Sequence, residues 1–122
     1  MGDLTKNFSL HEFACKCPCK ADHISAYLVN DLQIVRDAYM KPMVINSGVR
    51  CEAHNERVKG YFDSEHLEGE AVDISCGNSL DRFRLVKLLL SHGFRRIGIH
   101  KEKNFVHAGI GKLKTQDVIW LY

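Results

Sequence analysis

Long apolar runs are missing from this 122-residue chain. No stretch approaches the about 20 apolar residues that a membrane-crossing helix needs, which excludes a transmembrane reading. The opening MGDLTKNFSL carries no apolar core of a secretory signal, and Lys6 stands where a myristoylation site needs Ser or Thr. Synthesis in the cytoplasm is therefore expected, with any action outside the cell depending on lysis or dedicated export. Charge of one sign is also scarce: 17 Lys and Arg face 15 Asp and Glu, and the basic residues are scattered. That pattern argues against nucleic acid as a partner. Repeats, low-complexity tracts and Pro/Gly/Ser linkers are absent, so a single domain over 1–122 is expected. A monomer is expected as well. What remains is a globular composition, 45% hydrophobic and 26% charged.

Five cysteines make an odd count, so at least one is free if the others pair within the chain. Cys15, Cys17 and Cys19 lie in the run CKCPC, whose C-x-C-x-C spacing differs from the wider pairs usual at structural zinc. A second metal, a disulfide involving Cys51, and unpaired thiols all remain open.

From Ser25 to about Met40, Leu28, Leu32, Val35 and Tyr39 recur at helical spacing, and Pro42 ends the pattern. Residues 7–24 before it read as irregular. MVIN (43–46) reads as a short buried strand. A second helix is expected from about Ser79 to His92, capped by Ser79, buried through Phe83, Val86 and Leu90, and stopped by Gly93. RRIGIH (95–100) and FVHAGI (105–110) alternate around the turn KEKN and predict a hairpin, and DVIWLY (117–122) predicts a last strand. The fold class is α+β, a mostly antiparallel sheet with two main helices.

Within SEHLEGEAVDIS (64–75), His66 precedes Asp73 by seven residues, with Gly69 and Ala71 between. In a strand over 105–110, His107 shares a face with Phe105 and Gly109. If His66, Asp73 and His107 converge, two imidazoles and a carboxylate form a zinc site with one position open for water, as catalytic zinc requires. Taken alone, His107 fits a hydrogen-bonded core histidine, and Asp73 fits a turn residue.

The segment resembles the S-x-H-x-x-G-x-A-x-D signature of the zinc D-alanyl-D-alanine carboxypeptidase family, through Ser64, His66, Gly69, Ala71 and Asp73. These are peptidoglycan peptidases that include vancomycin-resistance dipeptidases and several phage endolysins. INSGVRCEAHN (45–55) is similar to the family's S-G-x-R segment, and GFRRIGIHKEKNFVHAG (93–109) to its hairpin ending in F-V-H. NFSLHEFACKC resembles the start of the short single-domain branch. The resemblance implies one zinc ion on His66, Asp73 and His107, with the metal site on the sheet face. It implies that Arg50 lies near the substrate, holding a carboxylate or a developing oxyanion. Ser64 is implied to support His66 or to line the substrate cleft.

The chain departs from the family pattern at two positions. Many members carry Glu three residues before the last histidine ligand, where this chain has Asn104; the short branch often reads F-V-H-x-D, where this chain has Gly109. A general base must then come from elsewhere, and His100 is favoured over Glu102. Glu65, Glu68 and Glu70 read as solvated charges, and His11, His23, His54 and His92 have no spacing argument. The expected function is a zinc peptidase on peptidoglycan stem peptides, of D,D-carboxypeptidase or L-alanyl-D-glutamate endopeptidase type, reaching the wall after lysis if phage-derived. The alternative is a metal-binding module without catalysis, as the similarly folded hedgehog signalling domain illustrates. A cysteine-cluster domain touching nucleic acid is a third, weaker reading.

Overall fold

The structure, a computed structural model, describes residues 2–122. The chain is α+β, as expected, and its sheet places two of the three candidate ligands on one face and the core on the other.

The first long helix, α2 (Ala26–Tyr39), follows a single turn, α1 (Leu10–Phe13). Ser25 starts α2 by accepting the Leu28 N–H, and Met40 ends it in the left-handed region at φ 60. Its buried stripe is Leu28, Val29, Leu32, Val35 and Tyr39. The reading of 7–24 as irregular missed α1, a turn too short for periodicity to reveal. It holds because the Ser9 N–H donates to Glu12 at 2.7 Å and because Phe8 and Phe13 are buried.

Five strands follow: β1 (Ile45–Ser47), β2 (Ala71–Ser75), β3 (Arg96–His100), β4 (Phe105–Gly109) and β5 (Val118–Leu121). Their spatial order is β1-β2-β4-β3-β5. Every pair is antiparallel except β3 with β5, which run parallel. The expected hairpin is β3–β4, turning through Lys101–Asn104, with Asn104 at φ 53. Because side chains alternate, Val72, Ile74, Val106, Ala108 and Ile97 enter the core with α2 and the last helix. The opposite face carries Asp73, His107 and Gly98.

That last helix is α4 (Ser79–Ser91), and two expectations about it need correction. Asn78, not Ser79, is the cap, its side chain accepting the Asp81 N–H at 2.9 Å. Leu85 and Leu89 form the buried stripe, while Phe83 is 68% exposed, Leu90 is 45% exposed and Val86 is only partly buried. Between Leu85 and Leu90 only Lys87 is polar. A run so uniformly apolar offers two stripes at helical spacing, and tertiary packing chooses between them. Helix α3 (Glu52–Arg57) lies between β1 and β2 in the chain, capped by the Cys51 sulfur, which accepts the His54 N–H. No described helix is long and apolar enough to cross a membrane.

Candidate metal centre

One row of the sheet builds most of the site. Ser47, Asp73, His107, Gly98 and Trp120 stand opposite one another in register on five adjacent strands. Gly98 is required there, because a Cβ would lie 2.7 Å from the Trp120 indole. His66 is brought to the row by a 3-10 turn, Glu65–Glu68. Gly69 ends that turn at φ 70, and a Cβ on it would lie 2.1 Å from the His23 carbonyl oxygen. The glycine of the signature therefore serves both backbone conformation and close approach.

His66, Asp73 and His107 are 2%, 2% and 4% exposed. Each histidine is anchored by the nitrogen facing away from the others. His66 Nδ1 lies 2.7 Å from the Gly48 carbonyl oxygen and must donate to it. His107 Nε2 lies 2.6 Å from Glu65 Oε2 and donates there. With protons on those outer nitrogens, His66 Nε2 and His107 Nδ1 turn lone pairs toward Asp73 Oδ1, at 3.2 and 3.1 Å. Three acceptors facing one another require positive charge between them, and the three ligand atoms lie within 4.8 Å of each other. Two nitrogens and an oxygen fit zinc, and outer partners on both imidazoles are the usual mark of metal-binding histidines.

Titration in the metal-free chain follows the same contacts. Burial lowers the His66 pKa and keeps that ring neutral. Burial opposes charge on His107 too, but hydrogen bonds to Asp73 and Glu65 outweigh it and raise its pKa. Burial would raise Asp73; the two histidines outweigh it and hold the carboxyl well below the usual carboxylate range.

Arg50 is brought to this centre. Its Nε donates to Ser47 Oγ at 3.0 Å, Nη1 to Asn55 Oδ1 at 3.1 Å and Nη2 to Asp73 Oδ2 at 3.0 Å. A guanidinium has five N–H groups, so two remain for a ligand. Ser64 accepts the His66 N–H at 3.2 Å and also lines the adjoining cavity. His100 lines the cavity as well, stacked on Tyr122 with ring centroids 4.9 Å apart. Its Nδ1 accepts the Lys103 N–H at 3.1 Å, so the neutral ring carries its proton on Nε2. Glu102 is exposed in the turn and is not part of the cavity lining.

Glu65 overturns its reading as a solvated charge. It is 2% exposed and accepts from His107, from Arg96 Nε at 3.1 Å and from the Gly111 N–H at 2.9 Å. Burial works against its ionisation, but the His107 hydrogen bond and nearby cations outweigh that, and its pKa is lowered. A Cβ at Gly109 would lie 2.1 Å from Glu65 Oε2. The missing acid at 109 is thus the space that the Glu65 carboxylate fills. Small residues at 109 and 111, on the face of His107, were the available signal. Glu68 is exposed and Glu70 half-buried, and His11, His23, His54 and His92 lie outside the cavity lining.

The cavity over the row measures about 790 Å³. Its cations are Arg50, Lys59, Arg96, Lys103 and Lys114, and its acids are Asp63, Glu65 and Asp73. Arg50 pairs with Asp73, Arg96 with Glu65 and Lys114 with Asp63. Among the described residues, Lys59 and Lys103 have no acidic partner, so the mouth favours an anion. Phe105, Trp120 and Tyr122 supply an aromatic wall, with Trp120 5.0 Å from the His107 ring.

A family model described as Peptidase M15 matches residues 6–109, which include every candidate ligand, Arg50, Glu65 and His100. No curated protein matches the chain.

Proposed function

The chain belongs to the Peptidase M15 family, whose members are zinc-dependent, and from that premise we propose that it hydrolyses peptidoglycan stem peptides as a D,D-carboxypeptidase or L-alanyl-D-glutamate endopeptidase. The observation that carries this reading is the proton arrangement: both histidines are tied by their outer nitrogens, which leaves His66 Nε2, His107 Nδ1 and Asp73 Oδ1 facing one point. Zinc, when bound, supplies Lewis-acid polarisation of a scissile carbonyl and activation of water for attack.

The remaining groups bind and orient. Arg50 directs its two spare N–H groups at a substrate carboxylate or a developing oxyanion, while Asp73 offsets its charge. Lys59 and Lys103 draw the anionic peptide to the mouth. His100 presents an Nε2–H and therefore acts as a hydrogen-bond donor to developing negative charge. Glu65 keeps the His107 ring in one tautomer and one orientation. The aromatic wall packs the peptide and displaces water. If the protein is phage-derived, it meets its substrate after lysis.

One observation favours a second reading, a metal-binding module without turnover. Both oxygens of Asp73 and both of Glu65 are already engaged, and Asp63 is exposed and paired with Lys114, so among the described residues no buried carboxylate of the cavity is free to accept a proton.

Purified protein incubated with defined muropeptides, with and without a chelator, separates the two. Chelator-sensitive release of D-alanine, or cleavage after L-alanine, identified by product mass, supports the peptidase. Unchanged muropeptides with zinc bound support the module and overturn the peptidase.

A further inference from the structure

Apart from this centre, the fold gathers four of the five cysteines. The Sγ atoms of Cys15, Cys17, Cys19 and Cys51 lie within 4.8 Å of one another. Neighbouring sulfurs are separated by 3.5 Å (Cys15–Cys17), 3.0 Å (Cys17–Cys19), 3.4 Å (Cys17–Cys51) and 3.9 Å (Cys15–Cys51). A disulfide needs about 2.05 Å, and none of these pairs approaches it. Four thiolates around one ion at the zinc–sulfur length of about 2.3 Å would stand about 3.8 Å apart. Cys15 and Cys51 already stand close to that separation, while the other three pairs, at 3.0–3.5 Å, need to open by only a few tenths of an ångström to about 0.8 Å.

The surroundings suit thiolates rather than thiols packed as small apolar groups. Three sulfurs accept backbone N–H groups: Cys15 from Cys51 at 3.5 Å, Cys19 from Ala21 at 3.5 Å and Cys51 from His54 at 3.4 Å. The unusual C-x-C-x-C spacing is accommodated by a turn in which the Lys20 N–H bonds the Cys17 carbonyl, with Lys20 at φ 51. Lys16 and Lys20 flank the thiols and are exposed. Their charges partly offset the excess negative charge of four thiolates on a divalent ion. Cys76 is buried elsewhere, against Tyr39, which accounts for the odd count.

We propose that Cys15, Cys17, Cys19 and Cys51 bind a second zinc ion in a closed four-thiolate structural site. This site joins two segments about a quarter of the chain apart. It holds Cys51 beside Arg50, and the neighbouring Val49 N–H bonds the Phe13 carbonyl at 2.8 Å. The ion therefore staples the N-terminal segment to the loop that presents the substrate-binding guanidinium. Four protein ligands leave no position for water, so this ion takes no part in hydrolysis.

Zinc content of the full chain tests this without reference to activity. Wild type purified from zinc-supplemented medium should hold two ions, His66→Ala one, Cys51→Ser one, and the double variant none. Cobalt substitution adds an independent readout: thiolate-to-cobalt charge transfer should persist in His66→Ala and vanish in Cys51→Ser. Should Cys51→Ser fail to fold, His66→Ala alone still decides the matter. A zinc-free His66→Ala chain lacking the cobalt band overturns the proposal, as does a Cys17–Cys19 disulfide found by mass or four thiols that react freely in native wild type.

Discussion

At Glu65 one carboxylate is buried against a histidine, an arginine and a backbone N–H, 2% exposed. Its worth lies in what it does to His107, because a ligand ring free to turn holds a metal weakly. Glu65→Ala should lower zinc affinity about 10- to 100-fold, measured by chelator competition on folded protein. Gly109→Ala should act in the same direction, since its new methyl would occupy the carboxylate's place. Unchanged affinity in both would remove Glu65 from the site. At the cavity mouth, unpaired Lys103 has a smaller task. Lys103→Ala should raise KM for a carboxylate-bearing peptide about two- to five-fold at low salt, with kcat little changed and the effect fading in concentrated salt. A KM that does not move would mean that the substrate's charge is read elsewhere. The sequence made His66 and Asp73 visible because one motif fixes their spacing, and His107 because it ends the F-V-H of the second block. It hid Glu65, whose partner lies 42 residues away and whose pocket exists only because residue 109 lacks a side chain.

Elements differ in how openly the chain announces them. Helix α2 is legible because cap, stripe and stop agree: Ser25, the series from Leu28 to Tyr39, and Pro42 after Met40. The β3–β4 hairpin is legible because alternation surrounds a polar turn. Strand β2 is less so: V-D-I-S alternates over only four residues, and burial of four of its five residues leaves it without a solvent-facing side. Helices α1 and α3 are too short to display a period. In α4 the period is present, but the apolar run from Leu85 to Leu90 leaves its phase undecided. Packing resolves it, and the consequence is measurable. Leu89→Ala, at a position that is 0% exposed, should cost about 2–5 kcal/mol of unfolding free energy. Leu90→Ala, at a position that is 45% exposed, should cost under about 1 kcal/mol. Urea unfolding of the two variants decides between the stripes, and equal costs would contradict the packing described for α4.

For the molecule as a whole, the proposed site would set proton and metal in competition for one buried imidazole. Without metal, the raised pKa of His107 means that the ring keeps its proton above its ordinary value of about 6.5, bridging Asp73 and Glu65. Taken alone, that proton contributes stability to the metal-free fold that is fully present below about pH 6.5 and is lost as pH rises through the raised value. Zinc needs the same nitrogen free. Its affinity should therefore climb with pH across this window, by up to about tenfold per pH unit, and level off above the raised pKa. His66, with its lowered pKa, is already neutral there and adds no further proton. Because bound zinc stabilises the fold in proportion to the logarithm of its occupancy, the two trends diverge as pH increases. Thermal melts of zinc-loaded protein with and without chelator, taken in steps from about pH 6 to about pH 8, should show the chelator-induced drop in Tm growing with pH. The Cys51→Ser background removes any contribution from the thiol cluster, so a drop that stays constant across the series there would mean that His107 does not exchange its proton for the metal.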